Sequence, residues 1–105
     1  MVKKKSNFKK GFRKNKRIKH PTYVVGESDK DYEYLGLTHS ETYDGVKNVR
    51  LDKNPNPEDS KEAYIRPILE KDHPKNFGRS LKGWKFSKSD KKKVDEIIDK
   101  NKKRK

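Results

Sequence analysis

The chain has 105 residues, with 30 Lys/Arg against 16 Asp/Glu, a net charge of +14, and only 20 Leu, Ile, Val and Phe together. That length admits one small domain with a marginal core. The absence of Cys excludes disulfides, thiol chemistry and Cys-ligated zinc, and no apolar run approaches the roughly 18 residues of a membrane span.

The surplus charge sits at the two ends. Residues 1–19 hold ten Lys/Arg and no acid, and residues 100–105 hold five and no acid, so the span between is nearly neutral. Blocks of like charge repel, stay solvated and serve as interaction arms. The partner they point to is a polyanion, because each neutralised phosphate releases condensed counterions. Residues 1–19 read as a basic arm, disordered until bound, with Lys3, Lys4, Lys5, Lys9, Lys10, Arg13, Lys14, Lys16 and Arg17 as its nucleic-acid-binding residues. Phe8 and Phe12, four apart, would share one face of a bound helix or stack on bases. No apolar stretch follows the arm, so it does not read as a secretory signal, and the expected compartment is the cytoplasm.

From His20 the texture changes. Thr22–Val25 is β-branched and aromatic, residues 26–31 form a turn, and Tyr32–Thr38 is a second strand. An antiparallel register in which paired numbers sum to 59 sets Val24 opposite Leu35, Tyr23 opposite Gly36, and His20 opposite His39. Val46–Leu51 reads as a third strand, ended by Asn54-Pro55-Asn56-Pro57. Ala63–Arg66 reads as a fourth, running on through Pro67 to Leu69. Residues 70–83 are turn-rich, and Trp84 and Phe86 are the expected large core residues. Ser87 with Asp90 opens a capping-box-like helix whose apolar stripe is Val94, Ile97 and Ile98. Past Ile98 nothing apolar remains, so Lys100–Lys105 should fray into a second tail. The domain expected is 20–99.

Pieces of this order resemble the MazF/PemK family of toxin endoribonucleases over about residues 19–99. His20-Pro21-Thr22-Tyr23-Val24-Val25 is similar to the family's Arg-Pro and apolar strand. Leu35-Gly36-Leu37-Thr38-His39-Ser40 is similar to its strand ending in Thr-Ser. Ala63-Tyr64-Ile65-Arg66, Gly78–Gly83 and the terminal helix follow in the same order. The resemblance implies an SH3-like, PemK-like partly open barrel, mainly β, with a C-terminal helix. It implies metal-independent cleavage of RNA and, as a partner, an acidic antitoxin. Thr38 matches the family's catalytic Thr. Three departures stand out: His20 occupies the place of the catalytic Arg, His39 that of the usual Ser, and no strand is legible before His20.

Cleaving RNA without a metal takes a base for the 2′-hydroxyl, an acid for the leaving 5′-oxygen, and a cation for the phosphorane. Histidine serves as base or acid near neutral pH. His20 and His39 at one hairpin end, Thr38 between them, and Arg66 or Arg79 as the cation make the candidate catalytic and phosphate-binding set. His73 reads as a turn residue. No ligand spacing for a metal, no Ca²⁺ loop and no Gly-rich phosphate loop occurs, so no cofactor is expected. The functional expectation is a nucleic-acid-binding protein, with RNA a better fit than DNA, that cleaves single-stranded RNA. The alternatives are a non-catalytic RNA- or DNA-binding protein, ribosome-associated or from a mobile element, and a module for an acidic protein partner. No membrane partner is expected.

Overall fold

Alternation of in-pointing and out-pointing side chains organises the protein. A computed structural model describes residues 10–103. Among the described residues, nine strands and a 3₁₀ turn at Pro74–Asn76 precede one α-helix: β1 Gly11–Asn15, β2 His20–Ser28, β3 Asp31–Thr38, β4 Thr42–Tyr43, β5 Val46–Lys47, β6 Val49–Arg50, β7 Tyr64–Ile65, β8 Glu70–Asp72, β9 Phe77–Ser80, and α1 Lys88–Lys103. The main sheet is antiparallel in the order β6-β7-β3-β2-β1-β9, with β8 also on β3, and it does not close into a barrel. β4 and β5 form a separate small hairpin. The expectation of a mainly β domain with a C-terminal helix therefore holds.

The basic arm is the largest correction. Residues 11–15 are not a disordered tail but a central strand, paired with β2 on one side and β9 on the other. Phe12 explains this. Its ring lies 5.0 Å from Tyr23, 4.8 Å from Phe86 and 5.7 Å from Trp84, and it is buried. Burying a Phe side chain stabilises by about 1.5–3 kcal/mol. Two like charges in water repel by only about 1 kcal/mol even at 4 Å, so the flanking Arg13 and Lys14 do not prevent pairing. A strand thus does precede His20. Residues 1–9, which carry Lys3, Lys4, Lys5, Lys9 and Phe8, lie outside the described residues.

The turn from β1 to β2 is built by Asn15, which is fully buried. Its Oδ1 accepts from the N–H groups of Arg17 and Ile18 at 2.8 and 3.0 Å, an Asx-type turn. Its Nδ2 donates to Asp72 Oδ2 at 3.0 Å, tying the turn to β8.

The β2–β3 hairpin differs from the expected register. Thr22 pairs with Gly36, Tyr23 with Leu35 and Val24 with Tyr34; a bulge at Val25 then shifts the count, so that Gly26 pairs with Glu33 and Ser28 with Asp31. The strands run further into the turn than expected, closing at Asp29–Lys30, where Asp29 has φ 54°. The one-residue slip matters because side chains alternate with period two. Tyr23 and Leu35 now share the face that packs against Val94 and Ile97 of α1. Val24 and Tyr34 share the opposite face, with Phe77.

The remaining differences are local. The expected third strand breaks at Asn48 into β5 and β6, and the turn-rich 70–83 stretch contributes β8 and β9. Trp84 is only partly buried, a flank of the core rather than its centre. Ser87 Oγ accepts from the Asp90 N–H at 3.2 Å, half of a capping box. The fully buried Asp90 carboxylate instead accepts from the N–H groups of Asp52 and Lys53 at 2.6 and 3.0 Å, anchoring α1 to the loop after β6. The helix does not fray at Lys100. Asn101 holds its last turn, accepting from Leu69 N–H at 3.1 Å and donating to the Pro67 carbonyl at 3.1 Å. Among the described residues, no helix is long and apolar enough to cross a membrane.

Candidate nucleic-acid site

The pleat decides which side chains can form a site. Tyr34, Gly36 and Thr38 alternate on the sheet face opposite α1, and the β1–β2–β3 registers place Arg13, Thr22 and Gly36 in one row there. Arg66 joins that row through its N–H bond to the Gly36 carbonyl at 2.8 Å. Gly36 has no side chain, so the floor between Arg66 and Thr38 stays low.

Two cavities open on this region. The larger, about 320 Å³, is lined among others by Arg17, His20, Tyr34, Thr38, Tyr43, Asn48, Arg66 and Glu70. The smaller, about 160 Å³, is lined by His20, Thr38, His39, Asp59 and Trp84 with neighbouring loop residues. His20, Leu37 and Thr38 belong to both. The three candidate catalytic residues are thus brought together, though not as the expected register had them. Continuing the observed register brings His20 level with Thr38, and His39 lies one residue beyond the strand.

His39 has a partner that the sequence did not disclose. Its Nε2 lies 2.8 Å from Asp59 Oδ2, with the His39 side chain 58% exposed. The Lys61 N–H first, and His39 second, hold the Asp59 carboxyl below its ordinary range. With Nε2 engaged, Nδ1 is the ring nitrogen left for proton transfer. Thr38 Oγ1 accepts from the Ser40 N–H at 3.1 Å, which leaves its own O–H to donate.

The cations divide. Arg66 lies over the Tyr43 ring at 5.0 Å, donates to the Tyr43 carbonyl at 2.9 Å and faces Glu70 at 3.4 Å. Arg17 is held by Asp72 at 2.8 Å, and this bond raises its pKa. Both line the larger cavity. Arg13 instead donates to the Gly78 carbonyl at 2.9 Å, and Arg79, exposed on β9, lines neither cavity. Lys10, Lys14 and Lys16 are exposed and likewise lie outside both.

Asp72 is a charged hub. Partial burial pushes its pKa up, but the bonds from Arg17, Asn15, Asn76 and the His73 N–H outweigh this and hold the carboxyl well below the usual range. Tyr34 is raised, first by burial and then by the Glu70 charge.

Tyr43, Asn48 and Asp59 were not legible as site residues. Among the described residues, Tyr43 is the exposed large apolar side chain, 61% accessible, on the β4–β5 hairpin; the Asp44-Gly45 turn beside it was the available signal. Asn48 is buried and donates to the Ser40 carbonyl at 3.0 Å, while its Oδ1 has no partner. Among the described residues, no group of three or more His, Asp and Glu stands together as a metal-ligand set. Comparison with known proteins found no matching family model, no matching curated protein and no matching solved structure.

Proposed function

We propose that this protein binds single-stranded RNA at the two cavities that share His20, Leu37 and Thr38 and cleaves it there, in the manner of the PemK-like endoribonucleases its sequence resembles, within a related SH3-like build. The observation that carries the reading is the meeting of His20, Thr38 and His39 around one cavity, with the Asp59 carboxylate fixing the His39 ring. His39 Nδ1 takes the proton from the 2′-hydroxyl. The 2′-oxygen attacks phosphorus, and His20 gives a proton to the departing 5′-oxygen. The products are a 2′,3′-cyclic phosphate and a free 5′-hydroxyl. Thr38 donates to a phosphate oxygen, and Arg66 and Arg17 supply positive charge. Tyr43, exposed beside Arg66, offers a ring on which a base can stack. The compartment that goes with this reading is the cytoplasm.

The test is purified protein with mixed-sequence single-stranded RNA, with and without chelator, followed by end-group analysis. His20→Ala and His39→Ala should each lower cleavage about 10²-fold, the scale of lost acid–base catalysis, and leave binding nearly intact. Full activity in the double variant would eliminate this chemistry. A non-catalytic binding protein is the second reading. It is favoured by the exposure of the His39 ring and by His20 standing where the family has Arg. No cleavage across several RNAs, with binding retained, would select it. Binding that survives high salt would point instead to an acidic protein partner such as an antitoxin.

A further inference from the structure

A second basic surface lies round the end of the sheet from the histidines. Between β1, residues 80–88 and the start of α1 runs a groove of about 610 Å³. Lys10, Lys82, Lys85, Lys88 and Lys91 line it, and no Asp or Glu does. Lys91 is paired with Asp95 at 2.7 Å. Among the described residues, the other four have no acidic partner. The floor is aromatic. Phe12 and Tyr23 are buried beneath it, while Trp84 and Phe86 are only partly covered.

Lysines around an aromatic corner can serve simply to keep it wet. Two facts weigh against that here. The chain has 16 acidic residues, and in a solvated mixed surface some would fall among five lysines. In addition, Lys88 begins α1, at the positive end of the helix dipole, where a cation is unfavourable by some tenths of a kcal/mol. An anion in the groove relieves both this clash and the repulsion among the lysines.

We infer that this groove binds a single-stranded polynucleotide, with phosphates along the lysine rim and bases against Trp84 and Phe86. The inference deepens the RNA reading above and rests on it. Trp84 also walls the cavity that holds His20, Thr38 and His39. The groove and that cavity therefore share one side chain, and a bound strand passing Trp84 enters the site. An acidic polypeptide would satisfy the charges but would make no use of the aromatic floor, so RNA is the better fit.

Trp84 is the only Trp, so its emission reports on the groove directly. The full chain is titrated with a 20-nucleotide oligouridylate, a duplex RNA of equal length and poly-glutamate, at several salt concentrations. The oligouridylate should change Trp84 emission. The triple variant Lys82→Glu, Lys85→Glu, Lys88→Glu should bind it at least about tenfold more weakly, and the slope of log affinity on log salt should fall by about 2 for three lost phosphate contacts. All three lysines are exposed, and an acid at the first helical position suits the dipole, so the variant should stay folded; circular dichroism checks this.

An unchanged affinity and slope in the triple variant overturns the inference, as does a Trp84 emission blind to the oligonucleotide. Poly-glutamate that binds as tightly and moves Trp84 as much transfers the groove to an acidic protein. Duplex that matches the single strand removes the stacking role. If RNA is bound and cut while the triple variant binds as before, only the groove falls. If no RNA binds at all, the RNA reading falls with it.

Discussion

Replacing Asp72 by Asn keeps the shape of the side chain and removes its charge. In the native protein Oδ2 accepts from Arg17 Nε at 2.8 Å and Asn15 Nδ2 at 3.0 Å, and Oδ1 accepts from the His73 N–H and Asn76 Nδ2, both at 2.7 Å. Asn offers one acceptor and one donor. With its oxygen turned to the fully buried Asn15, its NH₂ faces two donors, and the bonds to His73 and Asn76 are lost. A bond to a charged acceptor contributes about 1.5–3 kcal/mol, and water reaches the rim of this site, so the pair together should cost about 2 kcal/mol. For a domain of this size that lowers Tm by roughly 10 °C. Thermal melts at pH 7, followed by Trp84 emission, measure it. The acid limb gives the sharper test. The Asp72 pKa is depressed in the fold, so its contribution is full above the ordinary carboxylate value of about 3.9 and is lost as pH falls through the folded value. The native and Asp72→Asn melts should therefore converge below pH 4. A gap that stays constant from pH 7 to the acid limb would refute the reasoning.

Phe12→Ala should cost about 3–5 kcal/mol, enough to unfold so small a domain, while Phe12→Leu should retain most of the fold; urea titration separates them, and a loss under 1 kcal/mol for Phe12→Ala would return β1 to the status of a tail. Asp90→Ala strands the N–H groups of Asp52 and Lys53 and should cost about 3 kcal/mol in urea, with part of the helical dichroism lost well before the sheet. A chain beginning at Lys10 keeps β1 and every described contact. Without Lys3, Lys4, Lys5 and Lys9 its salt slope for single-stranded RNA should nonetheless fall by about 3.

The parts of the fold that were legible are those where local and long-range preferences agree. Tyr23-Val24-Val25 and Tyr34-Leu35 are β-branched or aromatic and also pack in the sheet, so β2 and β3 stood out. Val94 and Ile97 repeat at helical spacing, and α1 did as well. β1 was hidden because one aromatic, Phe12, decides it among lysines whose repulsion is weak in water. The Val25 bulge leaves no mark in composition, yet it moved His20 from opposite His39 to the level of Thr38. The candidate residues His20, Thr38, His39 and Arg66 could be singled out from their side-chain types alone. Asp59 and Asn48 were not, since each gains a role only from a contact made across the fold.

β1 pairs with β9, and Arg13 bonds to the Gly78 carbonyl 65 residues away. As the chain emerges from the ribosome, β1 appears well before β9, and its β9 edge stays open until Phe77–Ser80 follow. Through that interval Phe12 has neither Trp84 nor Phe86 to cover it, and the lysines around it are free to find polyanions nearby, ribosomal RNA among them. Completion of the sheet, and with it the seating of Asn15 and Arg17 on Asp72, waits for residues 72–80. A chain interrupted before Asp72 thus carries the basic residues of β1 and its turn without the carboxylate that seats Asn15 and Arg17.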